Sequence, residues 1–319
     1  MKVDGRVAAP SLIVLLLLGG PVAAQEARDW LDRMSRAVEE LNYRGRFVHV
    51  LGGTTEMLEI VHRNADGESG ERILSLDGAG REFVRQGARA QAIFPDRRIV
   101  LYETRSDSSP LVSALPSNTA QFEPHYELAL GGSARVADRT AQILEIKPLD
   151  EFRYGYKLWL DQETAMPLRS QLVGERGEIV EQIVFTEIEI ADDVPASELE
   201  PTIDTSGFQA LRAPAATPLA AEVPWRAMDV PGGFRLSAAT QSAMAGSDTP
   251  VEHLVYSDGL ATVSVFIEAS SAQADMPDGF STAGSTNAYS QTLGGHKVTA
   301  IGEVPRRTVR RIAMSLVAE

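Results

Sequence analysis

The chain has 319 residues, 44% of them hydrophobic and 23% charged, with a formal net charge of −14 at pH 7 and no cysteine. That length and composition suit two soluble domains of roughly 100–200 residues each. The acidic balance opposes phosphate, so nucleic acid is excluded as the main partner, and the missing thiols exclude disulfides, cysteine nucleophiles, Cys-ligated zinc and an acylated-cysteine anchor.

Lys2 and Arg6, offset by Asp4, precede the apolar run 12–18, and small residues at Val22, Ala23 and Ala24 stand before Gln25. This pattern predicts an export signal over 1–24, cleaved near Ala24. Its apolar run is far shorter than the ~20 residues that span a membrane. The mature chain is therefore expected free of a membrane anchor, in an extracytoplasmic compartment.

Over 26–42, Trp30, Leu31, Met34, Val38 and Leu41 recur at helical spacing among charged residues, which predicts an amphipathic helix. Short strands follow at 45–51, 56–62, 71–76, 81–86, 89–94 and 97–103, separated by glycine-bearing turns. Close spacing favours an antiparallel meander over βαβ units. The pattern lapses over 104–130, where serines and Pro110, Pro116 and Pro124 predict a loop with helical turns. Strands resume at 133–138, 141–147, 153–160, 166–173 and 179–190. The segment "YGYKLWLDQETAMPLRSQLV", 154–173, reads as a hairpin: Tyr154, Tyr156, Leu158 and Leu160 share one face, and Met166, Leu168 and Leu172 return on alternate positions.

Pro214, Pro218 and Pro224, set among alanines, mark 206–224 as a linker. It separates a first domain over 25–205 from a second over 225–319. The second carries predicted strands at 233–237, 251–257, 260–268 and 296–303, then a helix starting at Pro305 with Arg306, Arg307, Arg310 and Arg311 along one side. That side reads either as a plain stabilising face or as a docking surface for an acidic group.

Catalytic signatures are missing. There is no G-x-S-x-G elbow, P-loop or H-E-x-x-H pair, and His49, His62, His125, His253 and His296 are scattered. Glu187 and Glu189 share a strand face and read as solvated. No enzyme, metal or cofactor is expected. The apolar strand faces outnumber what one helical stripe can cover, and a strongly curved sheet can wrap such a helix. Composition leaves two readings open: a trough that admits a ligand, or one filled by the 104–130 insertion and its neighbours.

Taken together, "LNYRGRF" (41–47), "LDGAGREFV" (76–84), "RVADR" (135–139), the 154–173 hairpin, "GEIVEQIVF" (177–185), "YSDGLATVSVFIE" (256–268) and "GEVPRRTVRRIAMS" (302–315) resemble the RseB/MucB family in order, over nearly all the mature chain. The resemblance implies an α+β protein: an N-terminal unclosed antiparallel β-barrel with helices, shaped like the lipoprotein carriers LolA and LolB, plus a smaller C-terminal α/β domain. It implies a periplasmic regulator of the sigma-E envelope stress response. Such a protein binds the periplasmic domain of the anti-sigma factor (RseA or MucA), shields it from the first protease, and is released by lipopolysaccharide or another acyl-chain lipid. A lipid or lipoprotein carrier is the alternative.

On that basis Phe47, Leu76, Phe83, Tyr156, Leu158 and Leu168 are candidates for a lipid wall. Trp225, Tyr256, Leu260, Val263, Val265 and Phe266 are candidates for the partner site, as alternating apolar residues that accept a peptide or simply fill a core. Asp229, in "WRAMDVPGGF" (225–234), departs from the resemblance, because some relatives carry an aromatic there.

Overall fold

A computed structural model describes residues 20–65, 67–78, 80–104, 123–212, 217–219, 223–243, 250–269 and 277–318. Helical apolar spacing produces α1 (Gly20–Glu40), which buries Leu31, Met34, Ala37 and Val38. Six antiparallel strands follow: β1 (Asn42–Leu51), β2 (Thr54–Ala65), β3 (Glu68–Ser75), β4 (Glu82–Gln86), β5 (Arg89–Phe94) and β6 (Ile99–Thr104). A second meander comprises β7 (Tyr126–Val136), β8 (Arg139–Pro148), β9 (Gly155–Asp161), β10 (Pro167–Val173) and β11 (Ile179–Ala191). Pairing of β11 with β1 joins the two meanders into one sheet.

That sheet has twelve strands in the order β12-β6-β5-β4-β3-β2-β1-β11-β10-β9-β8-β7, where β12 (Gln209–Arg212) comes from the linker region and adds to β6 in parallel. Its two ends do not pair, so the barrel is unclosed. α1 touches both β2 and β7, strands far apart in the order, which requires the sheet to curve around the helix. The expected loop over 104–130 is shorter than its composition suggests: Tyr126 to Leu130 already belong to β7, and residues 105–122 lie outside the described residues. Whether that insertion plugs or lids the trough falls on the same undescribed residues.

The 154–173 hairpin forms, with one change of parity. Pairing shifts between Pro167 and Arg169, a bulge that places two residues where the partner strand has one. Leu168 consequently joins Trp159 and Ala141 in a separate cluster, while Leu158, Leu160 and Met166 enter the main core. The turn is anchored by buried Asp161, which accepts from Arg139 Nε at 2.9 Å and Nη2 at 3.0 Å and from the Thr164 hydroxyl at 2.7 Å. Burial alone would raise this carboxyl; those donors hold it below its ordinary range.

The second domain is an antiparallel sheet in the order β13-β15-β16-β17-β20-β19-β18, from β13 (Thr217–Pro218) through β15 (Arg235–Ala243), β16 (Pro250–Ser257), β17 (Thr262–Ala269), β18 (Gly279–Ala283), β19 (Thr286–Leu293) and β20 (His296–Gly302). Pro305 precedes α2 (Arg306–Met314), which buries Val309, Ile312 and Ala313 against β19 and β20. β14 (Trp225–Ala227) and β21 (Leu316–Ala318) close the helix side as a two-stranded ribbon. β18 and β19 escape sequence reading because "GFSTA" and "TNAYSQTL" lack apolar alternation.

Outside the first sheet, residues 192–203 are strapped down by charge. Glu198 accepts from Arg44 Nε and Nη2, both at 2.7 Å, and Glu82 accepts from the Thr202 and Ile203 amides. A groove of about 230 Å3 there is lined by Arg44, Arg46, Arg72 and four glutamates in mutual ion pairs, an arrangement that fastens rather than binds.

On the inner face Tyr43, His62, Glu71 and Arg85 stand in one row across β1 to β4. His62 is buried, stacks on Tyr43 at 4.8 Å and donates Nδ1–H to the Leu41 carbonyl at 2.8 Å. Burial, chiefly, lowers its pKa. The folded protein therefore binds this proton more weakly than the unfolded chain, and folding loses stability as pH falls below about 6.5. Urea unfolding of wild type and His62→Gln at pH 5 and pH 7 should show a smaller acid loss in the variant; equal losses contradict the assignment.

Candidate functional site

Five consecutive residues between β8 and β9 attach the first domain to the second. Asp150 accepts the Phe152 amide at 2.9 Å and Arg153 Nε at 3.0 Å, which fixes the loop upon itself. Glu151 pairs with Arg307 on α2, and Glu175 accepts from the same guanidinium at 2.8 Å. The Phe152 carbonyl accepts from the Thr308 hydroxyl at 2.6 Å, while its ring lies 4.8 Å from the Arg311 guanidinium. The Tyr154 hydroxyl accepts from Asn287 Nδ2 at 3.1 Å.

Arg153 is the centre of this contact. Its side chain has 0% exposure, and so has that of Asp258, which it meets at 2.5 Å. Nη2 donates to the Gly232 carbonyl at 2.6 Å, and the guanidinium sits 5.4 Å from the Tyr126 ring and 5.3 Å from the Phe234 ring. Asp258 in turn accepts the Tyr126 hydroxyl at 3.1 Å and the Leu260 and Ala261 amides at 2.9 and 2.7 Å. Burial first, then the Asp258 charge, raises the Tyr126 phenol well above its ordinary range, so it stays a donor. A buried ion pair survives only when its remaining polar atoms are satisfied, and this one is.

Two hollows flank the contact. A cleft of about 780 Å3 opens between Pro124 and His125 of the first domain and Gly233, Arg235, Leu236 and Asp258 of the second. Gly233 has φ +87°, and a Cβ there would strike the His125 ring, so glycine allows this close approach. A smaller cavity, about 230 Å3, lies between Tyr126, Tyr154, Tyr156 and Leu172 on one side and Leu260 and Ile301 on the other. Tyr156 also packs against the first core, so one phenol touches both the inner wall of the barrel and the junction.

The expected site residues scatter against this geometry. Phe47 and Leu158 are buried in the first core beneath α1, and Phe83 and Tyr156 are partly buried against it. Leu168 is turned away by the bulge, and Leu76 lies past the end of β3, exposed. Trp225, Tyr256, Val263 and Val265 form the second core; Phe266 points to the other face and stacks on His253 at 4.4 Å. Leu260 alone of the expected partner residues reaches the junction, packed on the first core. Arg307 and Arg311, read from sequence as one helix face, are occupied by Glu151, Glu175 and Asp229, the last at 2.6 Å from Arg311. Among the described residues no cluster of His, Asp and Glu could hold a metal ion, and no helix is long and apolar enough to cross a membrane.

Sequence comparison adds relatives to this geometry. The MucB/RseB N-terminal domain family matches residues 26–203 and the MucB/RseB C-terminal domain family residues 220–317. The chain is 36% identical over 315 residues to the sigma factor AlgU regulatory protein MucB of Pseudomonas aeruginosa, covering 95% of this chain and 96% of that protein. It is 26% identical to the sigma-E factor regulatory protein RseB of Escherichia coli K12, covering 90% and 89%. Among solved structures, MucB in complex with MucA(peri) superposes with a TM-score of 0.72 at 33% identity over 92% of this chain and 99% of that one. A crystal structure of MucB superposes with a TM-score of 0.64 at 30% identity, covering 92% and 98%.

The clamp generates a stability prediction. Arg153→Met leaves Asp258 buried without its cation and should cost about 3–5 kcal/mol, splitting thermal unfolding into two transitions by calorimetry. Thr308→Val, which removes one neutral hydrogen bond, should cost about 1 kcal/mol and keep a single transition. An unshifted single transition in Arg153→Met contradicts the clamp.

Proposed function

This chain belongs to the MucB/RseB family, and from that membership we propose that it is a periplasmic negative regulator of a sigma-E-type envelope stress response. It binds the periplasmic domain of the anti-sigma factor, shields it from the first proteolytic cut, and lets go when an acyl-chain lipid such as lipopolysaccharide engages the first domain. The cleft between the domains carries the reading: walls from both domains, held in place by one buried ion pair, form a receptor that exists only while the domains are docked. The likeness to MucB in complex with MucA(peri) supports a partner of that kind.

Lipid acts through the inner wall. Phe47 and Leu158 are buried in the first core, so an incoming tail first meets the partly exposed Phe83 and Tyr156. Burying each methylene gains roughly 0.8 kcal/mol, and a differential of a few kcal/mol between docked and undocked forms suffices to shift the population. Tyr156 links the two sites because it lines the junction cavity as well. An export signal over 1–24 and domains meeting across 206–224 complete the reading.

Mixing the mature chain with the periplasmic domain of its anti-sigma factor tests this. Association and slower cleavage of that domain are expected; no association supports a carrier instead. Tyr156→Ala should retain partner binding while weakening the release caused by lipopolysaccharide several-fold, measured by titration. Unchanged release contradicts the coupling.

A further inference from the structure

The interdomain cleft contains a free strand edge. β16 pairs with β15 along its whole length, from Arg235 opposite Ser257 to Ala243 opposite Pro250. The other edge of β15 is covered by β13 only at Thr240 and Gln241, with one more bond from the Leu219 amide to the Ala239 carbonyl at 3.0 Å. Arg235, Leu236, Ser237 and Ala238 are exposed, and among the described residues no strand lies against them.

An uncovered edge presents unpaired amides and carbonyls to any extended chain, and proteins usually guard it with lysine, proline or a bulge. This run has neither lysine nor proline. Its single guard is the shift between Leu236 and Ala238, where the Ser237 hydroxyl donates to the Val255 carbonyl at 3.0 Å. Other free edges differ. β18 is exposed too, but the Arg306 guanidinium covers its Phe280 at 4.3 Å. The edge of β7 is interrupted by a register shift between Leu130 and Ser133, across Gly131 and Gly132. Among the free edges of the described residues, the β15 run is the one that lines the 780 Å3 cleft, through Arg235, Leu236 and Ser237.

Charge identifies the occupant. Asp258 is neutralised by Arg153, and among the described residues Arg235 has no ion pair, so the cleft is locally cationic on a chain of net charge −14. We infer that an extended segment of the partner, bearing acidic and apolar side chains, adds as a strand to Arg235–Ala238 and completes the second sheet inside the cleft. Its backbone bonds to β15, its acidic group faces Arg235 and an apolar side chain covers Leu236. This mode of binding rests on the function proposed above.

Hydrogen exchange on the full mature chain, with and without the periplasmic domain of the anti-sigma factor, tests the inference. Strand addition slows exchange of those Arg235–Ala238 amides that point away from β16 roughly tenfold or more, and Arg235→Glu lowers affinity roughly tenfold without changing the melting temperature. Partner binding that leaves these amides unchanged overturns strand addition while sparing the functional reading. Absence of any association overturns both. Protection that appears without the partner and grows with protein concentration assigns the edge to a second copy of this chain and overturns the inference as well.

Discussion

A guanidinium with no exposure to water has to be fully paired or it destabilises the fold by several kcal/mol. Arg153 meets that condition with acceptors from two domains: Asp150 from its own loop, and Gly232 and Asp258 from the second domain. Half of the solution lies in each domain, so neither can satisfy it alone. Partial opening would strand a buried charge, which makes the docked arrangement all-or-none rather than graded. The cleft beside the pair shares Asp258 with it, and there Pro124 and His125 face Gly233 and Arg235.

The first domain contributes the apolar wall. Its sheet curves around a single helix, and Leu31, Met34 and Val38 meet Phe47, Ile60 and Leu158 in one core. The wall is thus covered where the helix lies and partly exposed along Phe83 and Tyr156. Tyr156 is buried enough that its phenol is pushed above its ordinary range, by desolvation first. A group already desolvated on one side and lining the junction on the other is placed to transmit a change in packing without any charge moving.

Much of the architecture is legible in the chain because period two survives in most strands. "LNYRGRF" and "GEIVEQIVF" announce β1 and β11, although their pairing across some 140 residues does not follow from either. What misleads is local. The bulge beside Pro167 reverses the face of Leu168, and alternation cannot show where an extra residue is inserted. Val263 and Val265 alternate as a binding strand would, yet the same pattern fills the core beneath α2, since both uses require apolar residues on one face. The clamp is illegible for a different reason. Asp258 falls in the short gap between the predicted strands 251–257 and 260–268, and Arg153 at the first position of the predicted strand 153–160; only the fold brings them together, 105 residues apart.

Because the chain has no cysteine, introduced thiols are the only labelling sites, and the docking of the two domains can be followed directly. Spin labels at exposed Arg89 and Ser281 report the separation of the two domains by pulsed electron resonance. In wild type the distance should be narrow and unchanged by the anti-sigma periplasmic domain; with Arg153→Met it should broaden, and affinity for that domain should fall in step. A broadened distance accompanied by undiminished affinity would contradict the account.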